Sequence, residues 1–308
     1  MLIFAVNPYH MKLLVIGVAA ALLVSCSSGK KPDDEAFLQS LENQTTAGAG
    51  VDEEVINSIL EQIPSPLEIS VLLKESGSKY APEILNSSNN LPKYNSNYKK
   101  ALNLGVYGTD LGYTNIFGRN ADGIKFITSI KSLADELNIG QFFDVETIGR
   151  LAANSKNLDS LLLITTMNFN HINHYLQAQS RDNLSVLLLT GGWVEAMQIT
   201  CQTAVKNPNN KDLREKIGEQ KIVLEQILLL FSFYTEDPNM ASLLADMEQL
   251  KSAYDKVEIS YTYKESTMEI VDGVAVIKDN SSTTINITPE NVKEISDITN
   301  SIREKIIS

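Results

Sequence analysis

The chain has 308 residues, 43% of them hydrophobic, and a formal net charge of −12. This composition excludes a disordered chain and a multi-spanning membrane protein, and the length allows a sizeable buried core. The acidic balance argues against nucleic acid as a partner, because such binding relies on Lys and Arg neutralising phosphates.

The N-terminal region reads as an address. Met11 and Lys12 are followed by a largely apolar run at 13–24, then Ser25 and Cys26. A basic start, a dozen apolar residues and a small residue before Cys make a secretory signal, too short for a comfortable transmembrane helix. Leu23-Val24-Ser25-Cys26 resembles the bacterial lipobox, whose Cys carries lipid and becomes the first residue of the mature protein. Residues 1–25 are therefore expected to be a signal peptide, with 1–10 a misassigned extension before Met11. Removing Lys12 with them takes the charge from −12 to −13. Residues 26–50 are then a lipidated Cys26 and a Gly/Ser/Thr-rich tether. Within it, Asp33-Asp34-Glu35 weakly resembles the surface-export signal of some envelope lipoproteins. Acyl chains contribute about 0.8 kcal/mol per buried methylene, so several chains on Cys26 hold firmly to a bilayer. The expected location is the cell envelope, most naturally the outer membrane.

Residues 51–308 are expected to form a single, mainly α domain: a multi-helix bundle with a small β-hairpin or meander before the C-terminal helix. Asp52 opens a helix through Gln62, stopped at Pro64 and Pro66, and Ser65-Pro66-Leu67-Glu68 reopens one to about Glu75. A loop with a short helical turn fills 76–94. Helices then follow at about 96–118, 121–138, 144–154, 157–178, 182–206, 210–234 and 238–257. In the segment 210–234, Leu213, Ile217, Leu224, Ile227, Leu228 and Phe231 share one face. Four short β-type runs occupy about 259–287, with Asp272-Gly273 as a hairpin signal and Asn280-Ser281-Ser282 as a second turn. Thr288-Pro289-Glu290 opens the last helix.

The most informative helix spans 101–116. At about 100° per residue, Asn103, Tyr107, Asp110 and Thr114 fall on one stripe, with Gly105, Gly108 and Gly112 opposite. Three glycines cost about 2–3 kcal/mol of helix propensity, which close approach of a second helix would offset. A buried Asp110 requires a donor or a neutral form. Two further segments supply polar groups: Asn157 and Asp159 at a helix start, and Trp193 and Glu195 in Gly191-Gly192-Trp193-Val194-Glu195. One reading gathers Asn103, Tyr107, Asp110, Asn157, Asp159, Trp193 and Glu195 into a polar pocket. Its acids would hold a hard cation such as Ca²⁺ or act as an acid/base pair. The other makes them helix caps, a solvent face and interhelical hydrogen bonds.

The segments Ile63-Pro64-Ser65-Pro66-Leu67-Glu68, Asn103–Tyr113, Asn157-Leu158-Asp159-Ser160-Leu161 and Gly191–Glu195 resemble a family of uncharacterised Bacteroidetes-type envelope lipoproteins, over roughly residues 55–305. The resemblance implies location and a helical fold, and no chemistry.

Other motifs point to nothing stronger. His171 and His174 have a chelating i, i+3 spacing without a third ligand in view, so they read as a surface or core-edge pair. Cys201 has no disulfide partner if Cys26 is lipidated, and reads as a small buried hydrophobe. No phosphate loop, Gly-x-Ser-x-Gly elbow or His-Glu-x-x-His is present, so no cofactor, metal or catalytic residue is expected. The functional expectation is an envelope-anchored, non-enzymatic module that binds an envelope protein or a small-molecule ligand. The alternative is a metal-dependent or acid/base hydrolase using the carboxylates.

Overall fold

The computed structural model describes residues 53–63, 73–74, 77–144, 146, 149–150, 157–271, 274–278 and 280–308, all within the compact unit Asp52–Ser308. The expected signal peptide, Cys26 and the tether lie outside the described residues, as do most of the helices expected at 66–75 and 144–154.

The fold is mainly α. Among the described residues the helices with defined bounds are α1 (Glu53–Gln62), α2 (Asn97–Ile116), α3 (Asn120–Glu136), α4 (Leu158–Ala178), α5 (Asp182–Lys206), α6 (Lys211–Ser232), α7 (Pro238–Tyr254) and α8 (Pro289–Ile307). Short 3-10 turns occupy Pro82–Ile84, Ser88–Lys93 and Gly140–Phe143. Local chemistry explains where several helices begin. The Ser96 side chain accepts from Lys99 N–H, Asn210 from Leu213 N–H, and Asp237 from the Asn239 and Met240 N–H groups, with Pro238 filling the first turn. Thr288 and Asn291 form a reciprocal capping box at the start of α8. Each cap satisfies amide donors that have no partner inside the helix.

Helix α5 is the centre of the unit. It is long and apolar enough to cross a bilayer, yet 94% of its apolar window is buried, which makes it a core helix covered on every side. Helices α2, α8, α6 and α4 pack around it. The α2–α5 crossing is the tightest, and glycine is the reason. A Cβ on Gly105 would lie 2.0 Å from the Leu188 carbonyl oxygen, and one on Gly191 would lie 2.0 Å from the Leu102 carbonyl oxygen. Two backbones touch there without side chains between them, and the Thr109 hydroxyl donates across the same contact to Gly192 O at 3.0 Å. The offset expected for the glycine stripe thus comes from Gly105 and its counterpart Gly191. Gly108 contributes nothing to packing: a Cβ there would meet open space.

The β region is a long hairpin rather than a meander. Strand β1 (Glu258–Thr262) pairs antiparallel with β4 (Ser282–Asn286), and β2 (Thr267–Val271) with β3 (Val274–Lys278). The pairs nest, so one two-stranded ribbon runs out and returns. Thr262 pairs with Ser282 and Thr267 with Lys278, so the register shifts by one between the two pairs of strands as a bulge does. Asn280 and Ser281, expected as a chain reversal, instead bridge this interruption: Asn280 Nδ2 donates to Glu265 O at 2.8 Å and Lys264 N–H to Ser281 Oγ at 3.3 Å. At the ribbon's base, Ile285 and Ile287 lie over Gly218 of α6.

Candidate functional site

The fold gathers a buried polar junction where α2, α5, the end of α8 and the segment 84–94 meet. Its centre is an ion pair. Glu195, on the face of α5 turned toward α8, is 0% exposed, and its two oxygens accept from Arg303 Nε at 2.9 Å and Nη2 at 3.0 Å. This is the forked geometry that makes Arg–carboxylate pairs strong and directional. The remaining Arg303 donors reach Ile84 O at 3.2 Å and Glu304 Oε1 at 3.3 Å. Burial pulls the guanidinium pKa down, but the charge and hydrogen bonds of Glu195 outweigh it, so Arg303 stays firmly protonated.

Asp110 on α2 completes the group. It is wholly buried; its Oδ2 accepts from the Asn86 N–H at 3.1 Å, and its Oδ1 receives no hydrogen bond. Burial first, and then the neighbouring Glu195 carboxylate, push its pKa well above the ordinary carboxylate range; Arg303 and the Asn86 N–H pull weakly the other way. Asp110 is therefore the neutral carboxyl beside the Glu195–Arg303 ion pair.

Around these three, each polar group holds a different piece of chain. Asn103 Nδ2 donates to Ile306 O and to Lys99 O, both at 2.9 Å, and Lys99 Nζ reaches Ser308 O at 3.0 Å. These side chains satisfy carbonyls at the end of α8 that no further helical turn serves. Asn86 Nδ2 donates to Tyr94 Oη at 3.0 Å, and Tyr107 Oη donates to Ser87 O at 2.9 Å. The junction ties the last turn of α8 and the 84–94 segment to α2 and α5.

Of the seven residues expected in one pocket, the structure brings together Asn103, Tyr107, Asp110 and Glu195. Trp193 points elsewhere: its Nε1 donates to Gln220 of α6 at 3.0 Å, because two positions along a helix turn a side chain by about 200° from Glu195. Asn157 precedes α4 and is exposed, away from the closed junction; the Asp159 side chain lies outside the described residues. Sequence reasoning missed Asn86, Tyr94 and Arg303. Arg303 had a readable signal. It sits on the buried stripe Val292, Ile295, Thr299, Ile302, Ile306 of α8, and a cation on such a stripe demands a buried counter-ion. Asn86 and Tyr94 carried none, because loop residues have no periodicity to mark them.

Three other candidates are placed plainly. His171 and His174 are both exposed on α4. Cys201 is buried in α5, and burial pushes its thiol up to about 12, which keeps it protonated and inert as a nucleophile. Among the described residues, no group of three or more His, Cys, Asp or Glu is arranged to hold a metal ion.

A cavity of about 230 Å³ lies at the opposite end of α8, lined by Val205, Pro208, Arg214, Pro289, Val292 and Lys293. Thirteen residues of helix, about 20 Å, separate its Glu290 from Arg303, so it is no part of the carboxylate junction. No protein-family model, characterised protein or solved structure matches the chain.

Proposed function

We propose that the chain is a lipid-anchored envelope protein whose helical unit is a binding module rather than a hydrolase. The anchor rests on Leu23-Val24-Ser25-Cys26 at the end of the apolar run, with the polar tether after it. The resemblance to Bacteroidetes-type envelope lipoproteins points the same way, and outer-membrane attachment is the natural form. The choice of binding over hydrolysis is carried by one observation: Glu195 is fully buried and each of its oxygens accepts from Arg303. A catalytic carboxylate must reach its substrate within hydrogen-bonding distance. Glu195 and Asp110 instead join helices, which leaves the surface of the unit for a partner protein or small ligand.

One observation favours the hydrolase reading: a protonated Asp110 beside an ionised Glu195 is the charge pattern of an acid/base pair. Their zero exposure weighs against it.

The anchor is tested by labelling cells with a palmitate analogue and fractionating membranes. The parent takes up label and sediments with the envelope; Cys26→Ala does neither. Equal labelling and fractionation of the two would overturn it. The module is tested by envelope pull-down together with a thermal-shift ligand screen, and a blank result in both counts against binding.

A further inference from the structure

We infer that Asp110 and Glu195 share one trapped proton, and that this proton is what lets α2, α5, the end of α8 and the 84–94 segment close on one another. Glu195 and Arg303 form a neutral pair in the interior. A second carboxylate there would leave one uncompensated negative charge, which is strongly destabilising when buried. Asp110 Oδ1 is buried and receives no hydrogen bond, while its carboxyl stands at hydrogen-bonding range of Glu195. Two carboxylates repel at that range; a carboxylic acid donating to a carboxylate bonds. Glu195 retains acceptor positions beside those used by Arg303, so one O–H from Asp110 satisfies both acids.

The titratable and charged groups that face Asp110 are Glu195 from α5, Arg303 from α8 and Tyr107 on α2 itself; Tyr94, from the 84–94 segment, stands by Glu195 and Arg303. Both tyrosines are raised, chiefly by burial, and stay neutral as pH climbs. Asp110 is then the group that changes state. In the unfolded chain it ionises in the ordinary carboxylate range; in the folded chain it keeps its proton to a much higher pH. Over the window between those two values the folded state holds one proton more. Stability therefore falls as pH rises through that window, and the contribution is fully present only below it. Losing the proton sets the Asp110 carboxylate against that of Glu195 in the interior, and those two acids hold two separate pieces: Asn86 N–H is bonded to Asp110, and Arg303 to both Glu195 and Ile84 O. The end of α8 and the 84–94 segment are thereby joined to one titration. This inference is independent of the lipid anchor and of any ligand.

The experiment combines infrared spectroscopy with thermal unfolding of the folded chain across pH. The parent should show the carbonyl band of an un-ionised carboxylic acid at neutral pH, fading at alkaline pH; its absence at neutral pH would overturn the proposal even if no variant folds. Asp110→Asn keeps the shape and a permanent donor but cannot ionise. It should lose that band, flatten the dependence of Tm on pH, and raise Tm by about 2–6 °C at about pH 8 while changing it little at about pH 4. Glu304→Gln, an exposed carboxyl beside Arg303, serves as control and should keep both band and slope. A band that survives in Asp110→Asn, or a Tm slope equal to the parent's, assigns the proton elsewhere and ends the proposal.

Discussion

The α2–α5–α8 core and the β ribbon treat polar and apolar groups in opposite ways. In the core, ions and amides are sealed inside: Asn103, Asp110 and Glu195 are 0% exposed. In the ribbon, Tyr261, Tyr263 and Met268 are 64–72% exposed. The difference teaches where this unit stores its specificity. Hydrophobic burial is non-directional and selects a collapsed bundle, whereas the forked Arg303–Glu195 pair and the close backbone approaches at Gly105 and Gly191 admit a single helix arrangement. The ribbon takes its position from a small footprint, Ile285 and Ile287 over Gly218, and from strand pairing.

Substitutions can break this contrast, and the largest effect is expected at the glycine contact. Gly105→Val or Gly191→Val places carbon atoms against a backbone carbonyl that cannot rotate away, so the helices must separate. A loss of about 4 kcal/mol or more is expected, read by chemical denaturation, and a value under 1 kcal/mol would contradict the geometry. Next comes Glu195→Gln, which breaks the forked pair and leaves Arg303 with only Asp110 to ionise beside it; about 3 kcal/mol should be lost. Replacing both partners, Glu195→Gln with Arg303→Met, should recover much of that loss. No recovery would mean that the pair acts through something other than charge. Smaller again is Trp193→Phe, which strands the Gln220 amide in the core and should cost about 1–3 kcal/mol. Its loss should add to that of Glu195→Gln, since the two side chains face different helices. Last, Tyr261→Thr, Tyr263→Thr and Met268→Thr in the ribbon should each shift stability by less than about 0.5 kcal/mol. A large effect there would show that the exposed ribbon face has a partner within the same molecule.

Much of this contrast could be read along the chain. The helix starts at Asn97, Lys211, Pro238 and Pro289 follow from caps and prolines within a few residues of themselves. The glycine cost in α2 predicted a close helix neighbour, and a buried Asp110 called for a donor or a neutral form. Three things were not legible. The identity of the neighbour, Gly191 on α5, depends on a long-range contact. The same holds for Trp193, whose direction is set by which helix lies on that side of α5. The ribbon was left open between hairpin and meander because alternating runs and turn residues specify strands without specifying which strand pairs with which.

The amino-acid sequence by itself determined the elements, because capping, propensity and the 3.6-residue period act over a few neighbouring residues. It also determined that a buried Asp110 would need a remedy. The tertiary structure alone decided the remedy, bringing residues 84–86, 195 and 303 to residue 110. A charge in a medium of low dielectric is settled by whatever stands within a few ångströms in space, and residues brought together from so far apart along a chain carry no local pattern that announces it.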